Sequence, residues 1–320
     1  MASASPEPRA AASAPRPRHR LAAWLGRRAP EPLRRYARGW LGQRPEGADE
    51  RIRTYLDTGR VPWSPGYSEY KRRHIAQLLL DDHVLRMFRT SAALPSGYGE
   101  RLDERVVEYP WLFSRSEDWG VRVVDAGSTL NYPDLLAHPR LRDRAVVVYN
   151  LQQGWRATDH RVAYVTGDLR RIAIRDGSVH LVVCISTLEH IGLDATQLYT
   201  RDPRFREDRP EDFRVALREF RRILGPGGRL MVTVPFGRAA NLGWLQQFDR
   251  AGVDEIVRAF GGDVIDASFF KYEPDGWRRA AAEACAGCTY FDIHATPGRA
   301  PDYAAAARAV ACLDLRRPRR

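Results

Sequence analysis

Short apolar runs alternate with segments of helical periodicity over much of the chain. Phe213, Leu217 and Phe220 recur at helical spacing and predict a helix over 211–224, which Gly225-Pro226-Gly227-Gly228 would end. Strands that alternate with helices favour a parallel sheet covered on both faces. The apolar runs predict strands at 121–125, 145–150, 162–166, 180–186 and 230–235.

The flanking segments are predicted to be mostly helical. Residues 68–92 and Glu104 to Ser114 each predict a helix ahead of the first strand. We therefore expect three regions: a basic tail with amphipathic helices over 1–53, a helical cap over 54–118, and an α/β domain over 119–320. Beyond residue 240, the pattern predicts a helix near 252–260, a strand at 263–270, a helix near 276–284 and a last element at 303–316.

The positive charge lies mainly at the two ends of the chain. The formal net charge is +11, residues 1–53 hold 12 Arg against 5 acids, and the last five residues include four Arg. The body of the protein is therefore nearly neutral, which argues against a nucleic-acid groove. Apolar residues among the arginines of 21–44 could contact an anionic membrane surface, or could equally form a helical cap on the folded domain.

Several classes of protein are excluded by what the chain lacks. No apolar run reaches the roughly 20 residues that a membrane span requires, so we expect a cytoplasmic protein; peripheral contact at the inner membrane face is one of the two interpretations of 21–44 given above. The four cysteines are too few for a disulfide scaffold. Cys285 and Cys288 form a lone CxxC pair with no second pair to complete a zinc site, so we predict no metal.

An acid and a glycine turn follow the first predicted strand directly. The stretch Val123-Val124-Asp125-Ala126-Gly127-Ser128 places Asp125 at the carboxyl end of the strand, and Gly127 lets the backbone approach a ligand. This is how an open α/β sheet holds a nucleoside at its carboxyl edge.

Three stretches in order carry a resemblance to a known family. They are 123–128, 167–170 with 176–191, and 217–235. The chain resembles the type 11 group of class I S-adenosylmethionine-dependent methyltransferases. The resemblance implies an α/β, Rossmann-like, seven-stranded, mostly parallel sheet with a reversed last strand and helices on both faces, here with an N-terminal helical extension. Residues 243–249 and 304–315 also resemble a branch that often accompanies cell-surface polysaccharide genes.

The resemblance implies a cofactor site for S-adenosylmethionine. Asp125 would hold the aminoacid end of the cofactor, Asn150 the ribose and Asp168 the adenine amino group. Two departures from the family stand out: Thr129 and Asn131 replace glycines of the turn, and Asn150 replaces an acid that would accept from both ribose hydroxyls. The full set of predicted cofactor-binding residues is Asp125, Ala126, Gly127, Ser128, Asn150, Asp168, Leu169, Ile185 and Ser186.

The segment after the fourth strand suggests where methyl transfer would occur. His190 could remove a proton from an acceptor hydroxyl, because imidazole titrates near neutral pH; the alternative is a packing histidine. Ser186 stands where metal-assisted relatives have an additional Glu, which again predicts no metal. Residues before strand one or after strand five are predicted to bind the acceptor: Tyr109, Trp111, Phe236, Trp244, Gln246 and Gln247.

The leading hypothesis is a methyltransferase that acts on an oxygen of a sugar, a glycoconjugate or a small metabolite. One alternative is a catalytically degenerate methyltransferase fold that serves as a binding or scaffold protein at a membrane surface. An NAD-dependent oxidoreductase is a third reading, but the segment after Gly127 does not supply Gly-x-Gly-x-x-Gly.

Overall fold

The computed structural model describes residues 47–319, apart from 116–118, 153, 198–200, 293 and 297. The amphipathic helices predicted within 21–44 lie outside the described residues. The first described helix, α1 (Ala48–Asp57), runs across the boundary predicted between residues 53 and 54.

Helices precede the sheet and then alternate with its strands. The segment predicted as one helix over 68–92 is two helices, because Asp81 accepts hydrogen bonds from the backbone N–H groups of His83 and Val84 and starts a new helix there. In the described ranges, no helix is both long enough and apolar enough to cross a membrane. The helices after α1 are α2 (Tyr67–Leu80), α3 (Asp82–Arg89), α4 (Arg105–Ser114), α5 (Pro133–Leu136), α6 (Phe213–Ile223), α7 (Arg250–Phe260) and α8 (Ala282–Cys285).

The main sheet has eight strands in the order β3-β2-β1-β4-β5-β10-β8-β9. The first five pair in parallel, and β10 is antiparallel to both of its neighbours. This confirms a Rossmann-like, mostly parallel sheet with a reversed last strand. The strands are β1 (Arg122–Ala126), β2 (Ala145–Asn150), β3 (Val162–Thr166), β4 (Val179–Ile185), β5 (Leu224–Pro235), β8 (Asp263–Glu273), β9 (Gly276–Ala280) and β10 (Ala309–Arg316), with a separate pair β6 (Ala240–Asn241) and β7 (Gln246–Gln247).

The eighth strand corrects the helix predicted near 276–284. Gly276 has φ 113°, a left-handed conformation that turns the chain back on itself, so β9 forms a hairpin with β8. Trp277 of β9 is fully buried, and its indole N–H donates to the Leu102 carbonyl at 2.9 Å. Only the short α8 remains of the predicted helix.

Two apolar layers cover the two faces of the sheet. Along β4, Leu181, Val183 and Ile185 face the layer that contains α2, α3 and α4, whereas Val182 and Cys184 face the layer that contains α6 and α7. This alternation follows from the two-residue period of a strand. With both faces covered, a ligand has access to the sheet at the ends of its strands.

Candidate functional site

Asp125, the acid at the end of β1, is fully buried and bonded to its own loop. Its Oδ1 accepts from the Thr129 backbone N–H at 2.9 Å and from the Thr129 hydroxyl at 3.2 Å, and its Oδ2 accepts from the Leu130 N–H at 2.9 Å. Burial raises the pKa of Asp125 to about 7, although these hydrogen bonds favour the charged form. In this structure the carboxylate therefore shapes the turn.

The turn after β1 depends on glycine. Gly127 has φ 107°, and its N–H donates to the Tyr149 carbonyl at 2.9 Å. A Cβ at this position would lie 2.2 Å from Thr187 Oγ1, so a side chain is excluded. Ser128 continues the turn with φ 64°.

Side-chain hydrogen bonds replace the missing glycines of the turn. Thr129 bonds to Asp125, as described above. The Asn131 side-chain amide donates to Ser128 Oγ at 3.2 Å and to the Trp155 carbonyl at 2.7 Å, and its Oδ1 accepts from the Tyr164 hydroxyl at 2.9 Å. The sequence departure thus has a structural explanation, because the loop is fixed by polar side chains.

A cavity opens beside this turn, at the carboxyl ends of β1 to β4. Its empty volume is about 580 Å³, including the space that is open to solvent. Of the predicted cofactor-binding residues, Gly127, Asn150, Asp168 and Leu169 line it, and so does the predicted proton acceptor His190. The remaining lining residues are Leu151, Arg170, Thr187, Ile191, Gly192, Leu193, Ala195, Phe205 and Glu207.

Asp168 belongs to an ion-pair network on the cavity wall. The Arg170 guanidinium donates to Asp168 Oδ2 at 2.6 Å, to Asp212 Oδ2 at 2.6 Å and to Glu207 Oε1 at 3.0 Å. Burial alone would raise the pKa of Asp168, but the hydrogen bonds from Arg170 outweigh it and hold that pKa below its usual value. Asp168 is therefore a carboxylate already bonded to a cation.

Asn150 lies at the end of β2, half-buried on the cavity wall. Its Oδ1 accepts from the Leu151 N–H at 2.9 Å. That bond holds the side-chain oxygen of Asn150 at the strand end.

His190 ends a short 3₁₀ helix, Leu188–His190, directly after β4. Its Nδ1 lies 2.8 Å from the Trp244 carbonyl, and because a carbonyl only accepts, this nitrogen carries the proton. Burial lowers the pKa of His190 to about 4, so the ring is neutral at pH 7. The Trp244 ring is stacked on it, with centroids 5.5 Å apart.

A buried carboxylate, Glu108 of α4, ties the ends of β4 and β5 together. Its Oε1 accepts from the Ser186 hydroxyl at 2.8 Å and from the Thr233 hydroxyl at 2.5 Å, and its Oε2 accepts from Arg105. Ser186, which follows β4 directly, has φ 38°. Glu108 was missed from the sequence, although a single acid inside the apolar run of α4 was an available signal.

Several predicted site residues lie outside the cavity lining. Tyr109 donates to the Thr129 carbonyl at 2.6 Å and so supports the turn from behind. Trp111 is buried and donates to Asp266 in β8, while Phe236 packs on Phe269 in the core. These two aromatic side chains are core residues, which corrects the expectation that they bind an acceptor. Ala126 and Ile185 are also fully buried core residues.

The two glutamines predicted to bind the acceptor have structural partners. Gln246 donates to the Pro210 carbonyl at 2.7 Å, and Gln247 donates to the carbonyls of Arg238 and Cys288. Both side chains join loops beside β7 through their amide nitrogens, while Oε1 of Gln247 is buried without a partner among the described residues. Acceptor binding by Gln246 and Gln247 stays a prediction. In the described residues, no group of three or more His, Cys, Asp or Glu is arranged to hold a metal ion.

Residues 144–232 match a family model described as a methyltransferase domain. The strand order, with a reversed strand between β5 and β8, agrees with the fold expected for that domain. The chain has a class I methyltransferase fold. No curated relative matches it.

Solved methyltransferase structures match this chain at low sequence identity and with TM-scores below 0.5. The 1,6-didemethyltoxoflavin-N1-methyltransferase of Burkholderia thailandensis is 15% identical, with 62% of this chain and 71% of that chain covered and a TM-score of 0.38. An S-adenosylmethionine-dependent methyltransferase of Mesorhizobium loti is 15% identical, with 66% and 97% covered and a TM-score of 0.41. The N-methyltransferase NodS of Bradyrhizobium japonicum is 11% identical, with 90% and 98% covered and a TM-score of 0.37.

Proposed function

We propose that this protein is an S-adenosylmethionine-dependent methyltransferase. The observation that carries the proposal is the cavity at the carboxyl ends of β1 to β4 in a fold of this class. The match of residues 144–232 to a methyltransferase domain supports it, since that segment supplies Asn150, Asp168 and His190 of the cavity wall.

The donor set of the cavity fits the cofactor. Asn150 offers an amide to a ribose hydroxyl, Leu169 offers an apolar surface to a base, and Gly127 offers close approach of the backbone. Asp168 and Glu207 give the wall negative charge, which suits a sulfonium cation, although Arg170 balances part of it. When bound, S-adenosylmethionine supplies an activated methyl group, so that positioning provides much of the catalysis.

His190 is proposed to receive a proton from the acceptor. Its Nδ1–H bond to the Trp244 carbonyl fixes the ring and directs the lone pair of the neutral imidazole to Nε2. Burial lowers its pKa to about 4, so the ring is neutral at pH 7 but is a weak base, and proton transfer to it requires that acceptor binding raise this pKa. A base is needed when the acceptor is a poor nucleophile such as an alcohol.

The proposed acceptor is an oxygen of a sugar, a glycoconjugate or a small metabolite. The resemblance of residues 243–249 to a branch associated with cell-surface polysaccharide genes supports this choice. Contact of residues 21–44 with an anionic membrane remains a prediction, which flotation with anionic liposomes tests by comparing the full chain with a variant that begins at residue 47.

Calorimetric titration with S-adenosylhomocysteine tests the proposed function. We expect the wild type to bind it and Asp168→Ala to bind it more weakly by about tenfold, the effect of one lost charge-assisted hydrogen bond. Asp266→Ala is the matched control, because Asp266 bonds to Trp111 away from the cavity.

Two outcomes of this titration and of a parallel titration with NADH contradict the proposal. Binding of NADH without binding of S-adenosylhomocysteine favours an oxidoreductase. Absence of both favours a scaffold protein with a degenerate fold.

A further inference from the structure

Two buried polar groups beside the cavity have no hydrogen-bond partner in the described part of the chain. They are Oε2 of Glu189, whose residue is 3% exposed, and Nε1 of Trp244, whose residue is 6% exposed. His190 connects them to the cavity, since it lines the cavity, stacks on Trp244 and places Nε2 4.0 Å from Glu189 Oε1.

The surroundings of these two groups are polar and aromatic. The rings of Tyr290 and His294 meet the Trp244 ring edge to face, at centroid distances of 6.0 and 4.6 Å. Glu104 at the start of α4 contributes a further buried oxygen, Oε2, without a partner among the described residues. An unpaired polar group in a protein interior is destabilising, and Glu104 is close enough to Glu189 to influence its charge, so these unpaired groups need an explanation.

Glu108 shows that burial in this region does not by itself leave a carboxyl group without hydrogen-bond partners. It lies one helical turn from Glu104 on α4, it is fully buried, and both of its oxygens accept hydrogen bonds. The same region can therefore satisfy a carboxylate completely. The incomplete bonding of Glu189 and Trp244 is a property of those two side chains.

The chemistry of the unpaired groups selects the ligand. An indole N–H only donates, so it needs an acceptor, whereas a carboxyl group accepts through its oxygens and, when it is protonated, also donates through its O–H. An ammonium group only donates and would leave Trp244 unpaired. A hydroxyl group both donates and accepts, so neighbouring hydroxyls can satisfy the indole and the carboxyl groups together.

We propose that Glu189, Trp244 and Glu104 form the acceptor subsite and that it binds a neutral molecule with neighbouring hydroxyl groups. This inference rests on the proposed function, because it places the acceptor next to the cofactor cavity. It assigns to Glu189 and Glu104 a role in substrate recognition that the sequence motifs did not indicate.

The first experiment needs no ligand. Glu189→Met removes an unpaired group at nearly constant size, so we expect the Tm to rise by roughly 2–4 °C. Glu108→Met is the matched control and should lower the Tm, because it leaves the Ser186 and Thr233 hydroxyls and Arg105 without a partner. A fall in Tm for Glu189→Met would mean that Glu189 serves the fold, and would overturn the proposal.

The second experiment measures binding by saturation-transfer NMR. The probes are methyl α-D-glucopyranoside, methyl α-D-mannopyranoside and the cationic methyl glycoside of glucosamine. We expect the neutral glycosides to bind the wild type and Glu189→Gln, and to bind Glu189→Met and Trp244→Phe about tenfold more weakly. Glu189→Gln keeps hydrogen bonding but cannot ionise, so it separates a polyol from an amine.

Two results of the binding experiment overturn the proposal. One is that neither neutral glycoside binds. The other is that the glucosamine glycoside binds more tightly than both and loses affinity in Glu189→Gln. Each binding measurement is made with and without S-adenosylhomocysteine. Failure of the protein to bind S-adenosylhomocysteine is then observed separately, and it counts against the proposed function.

Discussion

The carboxyl ends of β1 and β4 lie in the same sheet, but the acidic residues that follow them differ in their hydrogen bonding. At the end of β1, both oxygens of Asp125 accept hydrogen bonds from the chain itself. After β4, Glu189 is equally buried and keeps an oxygen without a partner in the described residues. Buried polar groups are normally paired, so the first arrangement fixes a shape, and the second retains the capacity to bind a ligand.

The difference shows that burial alone does not identify a binding residue. Burial raises the pKa of both carboxyl groups, and that of Asp125 reaches about 7. What separates them is the number of hydrogen bonds that each receives. A perturbed pKa becomes informative about function only together with the bonding of the group.

The largest expected effect comes from breaking the paired end of β1. Asp125→Ala leaves the N–H groups of Thr129 and Leu130 unpaired, so we expect a loss of about 2–4 kcal/mol in the free energy of unfolding. Binding of S-adenosylhomocysteine should weaken by tenfold or more, because the turn loses its shape. Urea unfolding and calorimetry measure the two effects. A variant with wild-type stability would show that this carboxylate does not hold the turn.

An ion pair at the end of β3 allows a second test of how much a bonded carboxylate contributes to stability. Arg170→Met removes the partner of Asp168, Glu207 and Asp212, and we expect a loss of about 1–2 kcal/mol at pH 7. The folded-state pKa of Asp168 is depressed, so this stability is present above the unfolded pKa of 3.8 and is lost as the pH falls through the folded value. The difference between wild type and variant should therefore shrink as the pH falls below 3.8.

A matched control exists for this ion pair. Asp202 and Arg204 repeat the same spacing and the same bidentate bonds, but the Arg204 side chain is 84% exposed. Arg204→Met should leave the urea midpoint unchanged, because water screens an exposed pair. Equal losses in the two variants would contradict the role given to burial at the end of β3.

A smaller gain is expected from changing Asn150 on the cavity wall. Asn150→Asp supplies a charged acceptor for a ribose diol, and we expect S-adenosylhomocysteine to bind about 3–10 times more tightly. Asn241→Asp on the exposed β6 is the control. Unchanged affinity in Asn150→Asp, measured by calorimetry, would place the ribose away from β2.

The smallest expected effect concerns Glu104. Burial, together with the charges of Asp103 and Glu108, raises its pKa to about 8. A raised pKa contributes stability that is complete below the unfolded value of 4.5 and is lost as the pH rises through about 8. The Tm of Glu104→Gln relative to wild type should therefore increase by a few degrees between pH 5 and pH 9. A constant difference in thermal unfolding would mean that Glu104 stays ionised.

Sequence patterns predicted most of the sheet, because short apolar runs can be recognised from the local sequence alone. The strands at 145–150 and 162–166 have the predicted bounds. The hairpin of β9 was missed because its position is decided by the left-handed turn at Gly276 and by the packing of Trp277, which are tertiary effects.

The candidate site was predicted less completely than the fold. Motifs located Gly127, Asn150, Asp168 and His190, since each follows directly from a strand end. The network around Glu108 and the unpaired group of Glu189 could not be predicted, because they depend on contacts between α4 and the ends of β4 and β5. Trp111 was misplaced for a related reason: its position in α4 does not reveal which end of the sheet its ring faces.

The position of β10 has a consequence for biosynthesis. Residues 309–316 pair with β5 on one side and β8 on the other, although both of those strands are translated earlier. While this segment is still inside the ribosome, β5 and the β8–β9 hairpin present open edges that cannot pair with each other in the native order. The nascent protein therefore completes its sheet only after residue 316 has emerged, and a chaperone that shields strand edges would act before that moment.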